Sequence, residues 1–385
     1  MMRIPFEDGT TDEKKLGIQG GIQVGIKKQV LCGMIIVLAA LAFCVWKKAG
    51  SQVDARLAVS GQTASGDGQV LSETGEAKKD YIKWVDLTVS YEALCKAYEW
   101  DVDTHGTENE VHWIELLAYT AARTGAVFDK KALQIMEEAA GQLSSGQADM
   151  ETLSGSLKYF PYYLEAYQAT FGGLVGEYEV EVADENGHTE WRQNYGLKAY
   201  FPLARGFDYS HYDDFGVSRS YGYKRRHLGH DMMGLTGTPI MAIESGRVEA
   251  LGWNQYGGWR IGIRSLDRKR YYYYAHLRQN YPFAENLEEG SLVTAGDVIG
   301  YMGHTGYSTE ENVNNIEVTH LHWGLELIFD ESQKESDNEI WVDVYPLTRF
   351  LAKHTQPAQK VEGTKEWVRV TDMRDPVLNE SATIP

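Results

Sequence analysis

The chain has 385 residues, 43% of them hydrophobic and 12% aromatic, with a formal net charge of −18 at neutral pH. That length suffices for two ordinary domains with connecting segments. The acidic balance excludes nonspecific binding to nucleic acid, which needs a basic face to replace phosphate counterions.

In chain order, the first predicted element is the uncharged apolar run Val30 to Trp46, with Lys27 and Lys28 before it and Lys47 and Lys48 after it. A helix of about 17–25 apolar residues crosses a bilayer, so the run is predicted as a single transmembrane helix whose flanking lysines reach for the interfaces. The polar segment before it is too long for a signal-peptide n-region, and no small-x-small cleavage site follows Trp46 closely. Phe43 is a poor neighbour for lipoprotein processing at Cys44. Lysine pairs at both ends give little positive-inside bias, so the orientation rests on the shortness of the tail 1–29, which is expected in the cytoplasm with the larger C-terminal part outside. The protein is therefore expected to be single-pass in the cell membrane. Residues 47–77, rich in Gly, Ser, Ala, Thr and Gln, read as a flexible linker.

Residues 78–180 are predicted as a small all-α domain. Trp84, Leu87, Tyr91, Leu94 and Tyr98 recur at three- and four-residue steps, the mark of one buried helical face. Thr107 and Glu110 stand in capping-box spacing ahead of Val111, Ile114, Leu117 and Ala121, with Gly125 as a stop. Asp129 caps a third pattern through Leu133, Met136 and Ala140, and an aromatic-rich fourth runs from Leu157 to about Tyr178. Glu110 and Glu115 lack the sequence context of a lysozyme-like acid, and His105 and His112 read as surface residues. The domain is expected to position or space its neighbour, with any protein partner left open. Cys95 lies in its first helical pattern and Cys32 and Cys44 in the apolar run, so neither a disulfide framework nor a paired-cysteine zinc site can be read.

From about Tyr195 the period becomes alternating. Ile240 to Ile243, Arg247 to Leu251, Trp259 to Ile263 and Tyr271 to Leu277 are predicted strands, and Val293 to Gly300 adds another with a tight turn. Many short, closely spaced strands point to an antiparallel β domain over residues 195–355 rather than a βαβ fold. Residues 356–385 read as a loosely ordered tail. The fold class is α+β multidomain: a transmembrane helix, a small all-α domain and an antiparallel β domain.

Two histidine clusters carry the chemistry. In His227-Leu228-Gly229-His230-Asp231, positions i and i+4 of an extended backbone share a face, so His227 and Asp231 converge while His230 points away. Gly229 leaves room for a close approach of backbone or substrate. In the second cluster Leu321, Trp323, Leu325, Leu327 and Phe329 form one face of a strand, and His320, His322, Gly324 and Glu326 the other. Imidazoles on the polar face of an otherwise buried strand line a site, because unpaired polar groups there are costly. Two histidines and one aspartate suit a single zinc ion with an open position; thiolates and an all-oxygen set are both absent. His276 closes the strand Tyr273-Tyr274-Ala275-His276-Leu277.

Residues 215–351 resemble the lysostaphin-type peptidoglycan metallopeptidases. The shared elements include Phe215-Gly216, His227-x-Gly229-x-Asp231, Gly237-Thr238-Pro239, Gly246-Arg247-Val248 and Tyr274-x-His276-Leu277. Gly296-Asp297-x-Ile299-Gly300, Gly303-x-Thr305-Gly306 and His320-x-His322 complete them, in order. The resemblance implies zinc ligands His227, Asp231 and His322, catalytic His276 and His320, and hydrolysis of peptide bonds in peptidoglycan stems or cross-bridges. The sequence leaves open whether Tyr221 or Tyr223 holds the oxyanion or packs. The family usually has a short link into the H-x-H strand. Here Glu310 to Val318, with Asn312, Asn314 and Asn315, is inserted before it, and the acidic Glu331 to Glu339 after it. Both are expected to border the cleft. The other reading is a catalytically silent, membrane-tethered wall-binding or scaffold protein; such relatives lose ligands, whereas all five positions are filled here.

Overall fold

The computed structural model describes residues 81–183, 187–220, 224–334, 336 and 338–381. The predicted transmembrane helix at 30–46 and the linker at 47–77 lie outside them. Among the described residues no helix is long and apolar enough to cross a membrane.

The chain enters as an extended segment, not a helix. Val85, Leu87 and Val89 are buried while Asp86 and Thr88 are exposed, so a period of two wins over the three-and-four spacing that begins at Trp84, itself 68% exposed. Helix α1 (Tyr91–Thr104) starts where Ser90 accepts from the Ala93 amide. Helix α2 (Trp113–Thr124) corrects the capping box expected at Thr107 and Glu110. Glu110 instead accepts from Gly106 N at 2.6 Å within the preceding loop, and the Trp113 amide is satisfied by Asp101 of α1 at 2.9 Å. A partner supplied by tertiary packing is invisible to a local motif. Gly125 ends α2 with φ 64°, the left-handed stop the sequence predicts. Asp129 caps α3 (Lys130–Ser144) as expected.

The long fourth helix does not form as one piece. A short α4 (Met150–Ser154) precedes α5 (Phe160–Phe171), and Gly172-Gly173 ends it. Residues Val175–Ala183 and Thr189–Leu197 form a hairpin, β1 and β2, in which Glu177, Tyr178, Glu179 and Val180 alternate across the sheet. This hairpin spans the gap expected between the helical and β regions, and the chain from Asp80 onward forms one compact unit. One core runs through both: Trp113 of α2 lies 5.4 Å from Phe171 and 6.1 Å from Phe350, ring centre to ring centre. Arg270, 1% exposed, joins the two polar frameworks. It pairs with Glu244 at 2.8 Å and donates to the Ala169 carbonyl at the end of α5 at 2.9 Å.

The main sheet is antiparallel, in the order β11-β8-β9-β10-β13-β6-β3. Its members are β3 (Ser210–His211), β6 (His230–Met233), β8 (Gly246–Asn254), β9 (Gly258–Ser265), β10 (Arg270–Ala275), β11 (Leu292–Val293) and β13 (His320–Leu327). Beside β13 lies β14 (Ile340–Val342). A small hairpin, β4 (Ser218–Ser220) with β5 (Lys224–Arg226), stands off the sheet. The strands expected at 240, 247, 259 and 271 are all found. The one expected over Val293–Gly300 is divided by a turn at Gly296, φ 82°: β11 stays in the main sheet and β12 (Val298–Tyr301) pairs with β7 (Pro239–Met241).

The C-terminal segment, expected as a loosely ordered tail, is a further correction, because its described residues through 381 form regular elements. After α6 (Tyr345–Leu351), the hairpin β15 (Ala358–Lys360) and β16 (Trp367–Arg369) is followed by β17 (Met373–Arg374), which pairs with β1. A buried ion pair between Lys198 and Asp375 at 2.9 Å fastens it, ahead of α7 (Pro376–Ser381). Strands of two or three residues leave no period to read, which is why the sequence gives a tail.

Candidate metal centre

The register of β6 against β13 sets His322 directly opposite Asp231, and opposite residues of an antiparallel pair share a face. His230, opposite Trp323, belongs to the other face, as parity predicts. Its Nε2 meets His211 Nδ1 at 2.8 Å. His227 lies upstream of β6, in a stretch paired through its own amide and carbonyl to Val217 and Gly216. The close approach that Gly229 permits proves to be that of His322. A methyl group on Gly229 would stand 2.5 Å from His322 Cε1 and 2.9 Å from the Trp323 carbonyl.

These constraints bring three donor atoms together. His227 Nε2 is 3.1 Å from Asp231 Oδ1 and 3.0 Å from His322 Nδ1, which is 2.9 Å from Asp231 Oδ1. Tetrahedral ligands at about 2.0–2.1 Å from zinc stand about 3.3 Å from one another, so this near-equilateral triangle fits one zinc ion. Burial alone would raise the Asp231 carboxyl, but hydrogen bonds from His227 and His322 outweigh it and hold the group far below the usual carboxylate range. Burial would likewise lower His227, yet the carboxylates of Asp214 and Asp231 raise it to about 9. His322 is pushed down by burial against the pull of Asp231.

The other two predicted histidines stand beside the triangle. The ring centres of His276 and His320 are 4.8 Å apart, and His276 is 5.8 Å from His322. Each has its Nδ1 on a backbone carbonyl, His276 on Thr305 at 3.0 Å and His320 on Val318 at 2.7 Å. A carbonyl only accepts, so Nδ1 carries the proton in both and each Nε2 is left as a base. His320 Nε2 is 3.7 Å from Asp231 Oδ1. Burial, together with His320 and His322, holds His276 well below the usual imidazole range and keeps it neutral. Its φ of 62° is left-handed, uncommon for a residue with a side chain. The strain is held by hydrogen bonds from His276 N to Gly257 O and from Gly303 N to His276 O.

The cleft in front of these groups has a volume of about 300 Å³ and is walled by Tyr256, Tyr273, Tyr307 and Trp341. Of the first insertion, the asparagines mostly hold the loop. Asn312 Oδ1 accepts from the Trp259 indole and the Asn280 amide, and Asn314 and Asn315 bond to Gln279 and Tyr307 O. The second insertion reaches the cleft only at its end, with Glu339 in the lining; Glu331 ties Arg264 to Arg268. Tyr221 and Tyr223 lie outside the described residues. Glu115 and His112 line a separate hollow of about 580 Å³ beside Trp113, and His105 stacks on Tyr195.

Asp214 was not singled out in the sequence. Its Oδ2 stands 3.2 Å and its carbonyl 3.1 Å from His227 Nδ1, so it orients that ring from behind. Arg219 was missed too; it bonds Asp214 and meets Asp231 Oδ2 at 2.7 Å. An acidic pair just before Phe215-Gly216 was the available signal, but the pairing crosses 13 residues and depends on how the chain turns back.

Residues 225–335 match Peptidase family M23. The L-Ala–D-Glu endopeptidase of Bacillus subtilis (strain 168) is 35% identical over 189 residues, 49% of this chain and 52% of that protein. Lysostaphin of Staphylococcus simulans is 31% identical over 136 residues, 35% of this chain and 24% of its own length. The chain thus spans about half the length of the first relative and less of the second. Among solved structures, lytM from Ruminococcus gnavus ATCC 29149 aligns with a TM-score of 0.47 at 24% identity, over 70% of this chain and 90% of its own. The catalytic domain of lysostaphin aligns with a TM-score of 0.29 at 29% identity, over 37% of this chain and 92% of its own.

Proposed function

We propose, from the Peptidase family M23 domain that residues 225–335 carry, that this chain is a zinc metalloendopeptidase of the cell wall. It hydrolyses peptide bonds in peptidoglycan stems or cross-bridges and is held at the cell membrane by residues 30–46, with the catalytic part outside. The observation that supports this best is the triangle His227, Asp231, His322 with the imidazoles of His276 and His320 beside it. When bound, zinc supplies the Lewis acidity that polarises a carbonyl and acidifies water towards a pKa of about 7. His320 Nε2 takes the water proton, because its Nδ1–H is committed to Val318. His276, kept neutral by burial and fixed in the same tautomer by Thr305, accepts the second water proton as the product carboxylate forms, and the protons held by the two histidines leave on the departing amine. Asp214 holds the His227 ring in the orientation that presents Nε2.

The full-length protein tests this directly, by metal analysis and by the amino groups it releases from purified wall. Zinc near one equivalent with amino-group release is expected. His320→Ala should keep the zinc while cleavage falls by about 10²–10⁴-fold, the usual worth of a general base. A wild-type protein that binds no zinc and releases nothing would overturn the reading and favour a silent wall-binding protein.

A further inference from the structure

The hairpin β4–β5 delivers arginines into the cleft of a chain whose net charge is −18. Arg219 is spent on Asp214 and Asp231. Arg225 and Arg226 are not. Arg225 lies over the Tyr307 ring at 4.9 Å, makes no ion pair among the described residues, and its Nε is buried without a hydrogen-bond partner. Arg226, directly before His227, is exposed at the cleft and also unpaired among the described residues. On the same sheet face as Tyr273, Arg260 likewise has a buried, unpartnered Nη1. The one carboxylate in the lining that faces these groups from another element is Glu339, and the Trp341 indole already bonds it at 2.7 Å. A buried guanidinium donor without an acceptor is costly unless a ligand supplies one. A carboxylate does so in two-toothed fashion, whereas a glycine bridge offers only neutral amides.

Resting on the endopeptidase reading above, we propose that Arg225 and Arg226 read a free carboxylate next to the scissile bond, so that the substrate is an acidic stem peptide rather than a neutral cross-bridge. The two arginines bind and orient the substrate and take no part in the bond-breaking step. Arg226 lines the same cleft as His227 and His322, which sets a carboxylate bound to it beside the metal triangle.

The test uses the full-length, zinc-loaded protein and two synthetic stem peptides alike but for one group: a free α-carboxylate on D-Glu in the first, a carboxamide in the second. Pentaglycine is the third substrate. The acid is expected to be cut at least about tenfold faster than the amide in kcat/KM, about 1.4 kcal/mol, with the preference shrinking as salt rises. Arg225→Ala with Arg226→Ala should erase the preference, and Arg226→Gln alone, at an exposed position, should erase part of it if the double variant folds poorly. Acid and amide cut at equal rates, or pentaglycine cut fastest, would overturn the proposal. If the wild type cuts none of the three, the endopeptidase reading fails instead. The affinities of acid and amide peptides, measured by calorimetry, then still decide this proposal, equal values refuting it.

Discussion

Replacing Gly229 with alanine probes the metal centre through packing alone, because no charge or donor changes. The added methyl would stand 2.5 Å from His322 Cε1, 2.6 Å from its Nε2 and 2.9 Å from the Trp323 carbonyl oxygen. Carbon atoms in contact normally lie about 3.5–4.0 Å apart, so the imidazole must retreat by about 1 Å. It cannot do so freely, since its Nδ1 is held at 2.9 Å from Asp231 and the carbonyl is part of strand β13. A misplacement of about 1 Å in a catalytic group costs about 100-fold in rate, and overpacking of this kind costs about 1–3 kcal/mol of stability. Zinc affinity, measured by competition with a chelator, is expected to fall by at least the 10–100-fold that loss of an outer partner brings. The control is Gly141→Ala on α3, where nothing lies within 4 Å, which should leave affinity and rate unchanged. If Gly229→Ala bound zinc as the wild type does and cut wall at the same rate, the placement of His322 against this glycine would be wrong.

Asp214→Asn removes the carboxylate 3.2 Å behind His227; zinc affinity should drop about 10–100-fold by chelator competition, and an unchanged value would deny Asp214 its orienting role. Zinc uptake should depend on pH in a defined sense. In the metal-free protein His227 titrates at about 9, while Asp231 is ionised and His322 neutral near pH 7, so one proton must leave for zinc to enter. Raising the pH therefore strengthens binding about tenfold per unit from about pH 7 until the curve flattens near 9, and a flat profile over that window would refute it. Arg270→Met strands Glu244 in the core and frees the Ala169 carbonyl. Denaturant unfolding should show a loss of about 3–5 kcal/mol in a single transition covering helices and sheet, whereas separate transitions would show that the shared core does not couple them.

The parts of this protein legible in its sequence are those in which burial and period agree over several residues. Strand β13 is one, since Leu321, Trp323, Leu325 and Leu327 are fully buried while His322 opens to the cleft. Helix α3 is another, with Asp129 doing locally what a cap should. Where tertiary partners replace local ones, the sequence misleads. The Trp113 amide is capped from α1, and Val85, Leu87 and Val89 are buried as an extended segment that a helical count absorbs. The acidic alternation of β1 was hidden behind the aromatic run of α5, and the hairpin that arms the cleft with Arg225 and Arg226 is three residues a side. Long-range pairing also conceals Asp214, which has meaning only once the chain has turned back to bring it behind His227.

The glycine-rich segment between the clusters shows how a motif without chemistry of its own governs the site. His276 and His320 are 44 positions apart, yet Gly303 binds both: its amide donates to the His276 carbonyl at 3.1 Å and its carbonyl accepts from the His320 amide at 3.2 Å. A side chain at Gly303 would meet Arg278 Cα at 2.5 Å, so only glycine lets the two strands' ends approach so closely. Two residues on, the Thr305 carbonyl accepts a hydrogen bond from His276 Nδ1–H, and its hydroxyl donates to the Leu277 carbonyl at 2.6 Å, closing the turn that gives His276 its left-handed backbone. The distance between the bases and the tautomer and backbone strain of His276 are thus set by Gly303, Thr305 and Leu277, none of which is a metal ligand. The triangle, by contrast, is set by the β6–β13 register and Gly229. Holding the ion and preparing the bases are separate structural tasks here, and substitutions in the two places should be separable in zinc affinity and rate.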